Sequence, residues 1–114
     1  MIGKCDLDGM VIGRKTHKQD VCIVDGKVMP WKRWRKGEVN KCDLKRLLAA
    51  KPTYLVIGTG CRADLSVPES VLKSIPENVT VMASGTFAAV GQFNTLLRQC
   101  RWSDDVVVGA FKVT

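Results

Sequence analysis

Gly58-Thr59-Gly60-Cys61-Arg62 follows the apolar run Tyr54-Leu55-Val56-Ile57, and these residues are the first candidates for chemistry in the chain. Glycines at the end of a strand let backbone N–H groups turn towards an anion, and a guanidinium would complete such a site. Gly58 to Ala63 satisfies G-x-G-x-x-A, a variant of the dinucleotide fingerprint. Two further requirements of that fingerprint are missing. Its glycines open a helix directly, whereas the next helix signal here waits until Pro68, and the acidic ribose ligand expected about 20 residues on is replaced by Ala83-Ser84-Gly85. No Gly-Lys-Ser/Thr follows, which removes the P-loop. No cofactor is expected.

In an open α/β sheet the loops at the carboxyl ends of neighbouring parallel strands border one crevice. That rule predicts that Gly58, Thr59, Gly60 and Arg62 meet Ser84 and Thr86, bringing backbone N–H groups, hydroxyls and a helix N-terminus to one place suited to a small anion. The alternative is structural: the glycines permit a tight turn and the hydroxyls cap a helix. Asn94 lies near the apolar stripe of the following helix, where a buried amide needs partners. It is expected to clamp a glycine-bearing turn, or secondarily to contact a ligand. Cys61, beside Arg62, is the one candidate nucleophile, but no general base stands near it in sequence, so catalysis is not the expected function.

A second group of residues points to association. Net charge is +7, and residues 1–57 hold 13 Lys/Arg against 6 Asp/Glu while residues 58–114 hold 5 of each, so all of the excess lies in the first half. Within it, Trp31-Lys32-Arg33-Trp34-Arg35-Lys36 interleaves aromatic and basic residues. On a strand, Trp31, Arg33 and Arg35 would share one face and Lys32, Trp34 and Lys36 the other. A protein partner docking on Trp31, Arg33, Trp34 and Arg35 is the primary expectation. Single-stranded nucleic acid is the alternative, since such a surface stacks on bases and neutralises phosphates. The basic stems could instead merely cover apolar surface.

Other function classes are limited by composition. The five cysteines are dispersed without a C-x-x-C pair and there is one histidine, so neither a disulfide framework nor a metal site is expected. The start of the sequence shows no basic segment leading into an apolar stretch, and no run approaches the roughly 20 apolar residues of a membrane span. A soluble, cytoplasmic monomer or homodimer, not inserted in a membrane, is the expectation.

The elements that must position these residues can be read from periodicity and punctuation. The 114 residues suit a single domain. Met10-Val11-Ile12 begins a strand, and Val21–Val24 and Lys27–Met29 flank Asp25-Gly26 as a β-hairpin that Pro30 stops or confines to an edge. Asn40 or Asp43 caps a helix over 44–50, closed by Pro52. A strand buried on both faces spans 54–57. Pro68 occupies the first position of a helix that turns Val71, Leu72 and Ile75 inward. Val79–Ala83 is a strand, 87–100 a helix with Val90, Phe93, Leu97 and Cys100 on one stripe, and Val106–Val108 begins the last strand. The fold class is therefore α/β, a single domain with a mixed sheet in which an N-terminal β-hairpin precedes β-α-β-α-β.

Tyr54 to Gly60, Val67-Pro68-Glu69, Val79-Thr80-Val81, the Thr-x-x-Ala turn of Thr86 to Ala89 and Phe93-Asn94-Thr95-Leu96-Leu97 together resemble the adipogenesis-associated domain family. That family comprises small hypothetical proteins of archaea and bacteria, an animal adipogenesis-associated protein and a mitochondrial assembly factor of respiratory complex I. The resemblance implies a three-layer α/β fold whose last strand runs antiparallel to the rest, a cleft near the Gly-Thr-Gly loop, and an interaction or assembly role without an established catalytic activity. Family members often carry a Gly-His after the tryptophan strand and a histidine near the end of the final strand. This chain has Gly37-Glu38 and Phe111-Lys112-Val113-Thr114 there.

Overall fold

The computed structural model describes residues 2–6, 9–33 and 37–113. Eight strands and three helices follow in the order β1 (Ile2–Asp6), β2 (Gly9–Ile12), β3 (Lys15–His17), β4 (Val21–Val24), β5 (Lys27–Pro30), α1 (Lys41–Leu48), β6 (Tyr54–Gly58), α2 (Glu69–Lys73), β7 (Thr80–Ser84), α3 (Thr86–Gln99) and β8 (Val107–Phe111). β1, β2 and β3 form a small antiparallel sheet. The main sheet has the order β5-β4-β8-β6-β7, with β8-β6-β7 parallel and β4 antiparallel to both β5 and β8.

Local signals account for the hairpin and the crossovers. Asp25 and Gly26 adopt φ of 51° and 74°, the left-handed pair that a two-residue turn requires, and they set Val24 opposite Lys27. From β6 the chain passes over α2 to β7, then returns over α3 to β8 on the other side of β6. The two crossovers step in opposite directions along the sheet, so a right-handed path for each requires their helices on opposite faces. The core divides accordingly. Leu44 and Leu47 of α1 and Val71 of α2 pack with Cys22, Leu55, Ile57, Val108 and Ala110 on one face. Ala89, Phe93 and Leu96 of α3 pack with Ile2, Met10, Val21, Ile23, Val56, Val107 and Phe111 on the other. The alternation of Leu55, Val56 and Ile57 between the two clusters is the period-2 pattern of a strand buried on both faces.

Several expectations are corrected. β8 is not antiparallel to the rest: it runs parallel to β6, and the strand of the main sheet that runs against the others is β4. α3 returns the chain to the starting end of the sheet, which dictates a parallel strand. Pro68 is the N-cap of α2 rather than its first helical residue, with extended φ and ψ of −59° and 146°. Leu72 is 39 % exposed instead of turned inward, because the helix ends after only five residues and Val71 and Ile75 take the core positions. β1 and β3, which carry no clean apolar alternation, are additional strands. The helix anticipated over 44–50 begins at Lys41, behind Asn40 as N-cap.

Candidate functional site

The end of β6 does meet the start of α3. Thr59 N–H donates to Ser84 O at 2.8 Å, Gly60 N–H donates to Thr86 Oγ1 at 2.8 Å, and Thr86 N–H donates to Gly60 O at 3.0 Å. The Thr86 hydroxyl then donates to Lys112 O at 2.6 Å, while Lys112 N–H donates to Gly58 O at 2.9 Å. One side chain thus joins the loop after β6, the first turn of α3 and the chain leaving β8. Glycine is needed at two points. A Cβ on Gly58 would stand 2.8 Å from Phe111 Cδ1 and 2.9 Å from Thr86 Oγ1, and Gly60 has φ of 103°.

The N–H groups of Thr59, Gly60 and Thr86 are therefore bound within the protein. Thr59 and Thr86 are buried, and the Ser84 hydroxyl donates to Gln92 Oε1 at 3.2 Å. Arg62 is exposed beside this closed turn. Next to it, Lys112 Nζ lies 2.7 Å from Asp64 Oδ1; the hydrogen bond from Lys112, with its charge and that of Arg62, holds the Asp64 carboxyl below its ordinary range despite some desolvation. Cys61 Sγ sits 3.4 Å from Val113 O, and His17 belongs to β3 in the small sheet. Asn94 does not clamp a glycine turn: its Oδ1 accepts Ile2 N–H at 3.0 Å and its Nδ2 donates to Ile2 O at 2.8 Å, fastening β1 to α3. Both halves of its amide are used, which satisfies the polar group that the apolar stripe would otherwise strand. Among the described residues no group of three or more His, Cys, Asp or Glu is placed to hold a metal.

Within the tryptophan segment, Trp31 and Arg33 are folded inward rather than displayed. β5 ends at Pro30, so residues 31–33 lie beyond the strand and the two-faced alternation does not apply to them. Trp31 is 6 % exposed; its Nε1 donates to Asp43 O at 3.1 Å and its backbone N–H to Asp20 O at 2.9 Å. The Arg33 side chain, 7 % exposed, is paired with the Asp20 carboxylate, and its guanidinium lies 5.2 Å from the centre of the Trp31 ring. Asp20 Oδ1 also accepts Val113 N–H at 3.0 Å. Asp20, which sequence reasoning passed over, thereby ties the tryptophan segment to the end of β8; its only signal was a carboxylate directly before a buried strand. Trp34 and Arg35 lie outside the described residues.

A cluster of exposed positive charge stands on α1. Asp43 accepts Asn40 N–H on its Oδ2 at 2.8 Å and is buried, so the helix's one acid is turned inward to its own N-terminus. Lys41, Lys45 and Arg46 are exposed on the opposite face, together with Cys42. Among the described residues no ion pair involves those three cations. Lys32 and Arg46 flank a cavity of about 360 Å³ that runs between Pro30, Trp31 and α1.

The sequence profile of a family described as protein of unknown function (DUF498/DUF598) matches residues 2–110. No curated protein matches the sequence. Among solved structures, a conserved hypothetical protein from Pyrococcus horikoshii is similar with a TM-score of 0.82 at 20% identity, over 100% of this chain and 98% of that one. A Bordetella parapertussis protein is similar with a TM-score of 0.74 at 19% identity, over 99% of this chain and 94% of its own. A protein described as an outer membrane protein from Bartonella henselae gives 0.75 at 21% identity, over 98% and 92% of the two chains. At these identities the likeness is one of fold.

Proposed function

The chain belongs to the DUF498/DUF598 family of proteins of unknown function, and from that premise we propose that it is a non-catalytic interaction scaffold that docks an acidic protein through the outer face of α1. The carrying observation is the concentration of Lys41, Lys45 and Arg46 on one exposed helix face whose only acidic residue, Asp43, is buried. Unanswered charges of one sign steer a complementary partner and favour its correct orientation. Lys32 and the adjoining cavity extend the face towards Trp31. The resemblance to the adipogenesis-associated domain family, with its assembly factor, supports the same reading. The Gly58–Arg62 turn enters it as framework, since the N–H groups of Thr59, Gly60 and Thr86 are already bound.

The test is affinity capture of cellular partners by the wild type and by a Lys41→Glu/Lys45→Glu/Arg46→Glu variant, with and without nuclease. An acidic protein that survives nuclease, and whose affinity falls at least about tenfold (~1.4 kcal/mol) in the variant, supports the proposal. Nuclease-sensitive capture with a steep salt dependence would assign the face to nucleic acid instead. Equal capture by both forms would leave α1 a solvated helix.

A further inference from the structure

The two edges of the main sheet are built differently. At one, β5 carries Lys27 and ends in Pro30, residues that discourage another strand from pairing. At the other, β7 reads Thr80-Val81-Met82-Ala83-Ser84, with no charge and no proline. Thr80 N–H donates to Thr53 O and Ser84 O accepts from Thr59 N–H, so the even-numbered residues turn their backbone groups towards β6. By strand alternation the N–H and C=O of Val81 and Ala83 face outward.

Apolar surface flanks this edge on the α3 face. Among the described residues the exposed large hydrophobic side chains are Leu72, Phe87 and Trp102, and one of them, Phe87 in the first turn of α3, 50 % exposed, lines a groove with Met82 of β7. Met82, Phe87, Ala88, Gly91 and Leu96 line an open groove of about 530 Å³ between β7 and α3, and none of its eight lining residues is charged. The excess positive charge lies in residues 1–57, whereas residues 58–114, to which this edge belongs, hold 5 Lys/Arg and 5 Asp/Glu, so two copies can approach here without strong repulsion.

We propose that β7 is the contact strand of a homodimer, pairing antiparallel with β7 of a second copy about a two-fold axis through Met82. Such an interface is self-complementary, because the axis sets Val81 opposite Ala83 of the partner and Ala83 opposite Val81 of the partner. Each opposed pair exchanges two N–H···O bonds, and the outward groups of both residues are thereby satisfied. Met82 meets its symmetry mate on the α3 face of the sheet, where the two copies of Phe87 close over them. The contact is independent of the α1 face, which lies at the β5 side of the sheet.

The test is sedimentation velocity of the whole chain over a wide concentration range, with residue-resolved amide exchange. The wild type should sediment as a dimer in which the Val81 and Ala83 amides are protected. An Ala83→Lys/Phe87→Glu variant should sediment as a folded monomer in which those two amides exchange fast. Ala83 is exposed, so Ala83→Lys alone supplies the comparison if the double variant fails to fold. A monomeric wild type, a dimer that persists in the variant, or fast exchange at Val81 and Ala83 within a wild-type dimer would each overturn the proposal. The α1 triple variant should dimerise as the wild type does, which separates this result from that of the partner capture.

Discussion

The Thr86 hydroxyl accepts the Gly60 N–H at 2.8 Å while donating to Lys112 O at 2.6 Å, so a single oxygen bridges the loop after β6 and the chain leaving β8. In an open α/β sheet this is the end at which ligands usually enter. Here the N–H groups of Thr59, Gly60 and Thr86 are taken by partners within the protein.

Thr86→Val keeps the shape of that side chain and removes both bonds, stranding the buried Gly60 N–H and depriving Lys112 O of a donor. Each unsatisfied group costs about 1–3 kcal/mol, so urea unfolding should show a loss of several kcal/mol, and Thr86→Ser should recover most of it. A Thr86→Val midpoint equal to that of the wild type would show that the bridge contributes nothing to stability.

Asp20 and Arg33 should behave as parts of the core. Asp20→Ala leaves the Arg33 guanidinium, 7 % exposed, without its carboxylate and removes the acceptor of Val113 N–H, for a loss on the order of 3 kcal/mol. Arg33→Glu should be at least as damaging. Lys45→Glu, on the exposed face of α1, should change stability by no more than about 0.5 kcal/mol. Thermal melts of the three variants decide whether basic residues of the same half of the chain divide in this way.

Two glycines make opposite predictions. Gly58→Ala places a Cβ 2.8 Å from the Phe111 ring and should destabilise by about 1–3 kcal/mol. Gly91 lies within α3 with nothing within 4 Å of the point where a methyl group would stand, so Gly91→Ala should stabilise by about 0.5–1 kcal/mol through helix propensity. Denaturant midpoints with unchanged slopes would confirm both signs.

The cysteines should react in order of access. Among Cys22, Cys42, Cys61 and Cys100, Cys42 is exposed and should react first with a thiol reagent, and Cys22, buried against α1, should react last. Burial raises the Cys22 thiol above its ordinary 9.0, although Arg46 opposes the shift. With the folded pKa raised, the contribution to stability is complete below the unfolded pKa and is lost as pH rises through the folded value. Asp64 has the opposite sign: its folded pKa is lowered from 3.8, so its contribution is present above that pH and is lost as pH falls through the folded value. Cys22→Ala should flatten the alkaline decline in stability, and Asp64→Asn should flatten part of the acid decline.

Much of the local architecture was legible because it rests on neighbours in sequence. Asp25-Gly26 declared its turn, Pro30 its edge, and Tyr54 to Ile57 its burial on two faces. The meeting of Gly58–Gly60 with Ser84–Thr86 followed from the parallel crossover between their strands. What the same rules could not supply was the use of the donors so assembled, because Lys112, which comes into register through β8, arrives from a distant part of the chain.

The amino-acid sequence by itself determined the elements, the handedness of their connections and the confinement of net positive charge to the first half, because turn chemistry, hydrophobic period and ionisation are properties of residues and their near neighbours. Tertiary structure alone decided that β8 lies between β4 and β6, that Asp20 holds Arg33 and Trp31 in the interior, and that α1 displays Lys41, Lys45 and Arg46. Those outcomes depend on which distant surfaces are buried together. Asp20 and Arg33 flank the β4–β5 hairpin, and only the pairing of β4 with β8 brings Val113 N–H to the same carboxylate, so no local pattern announces that joint.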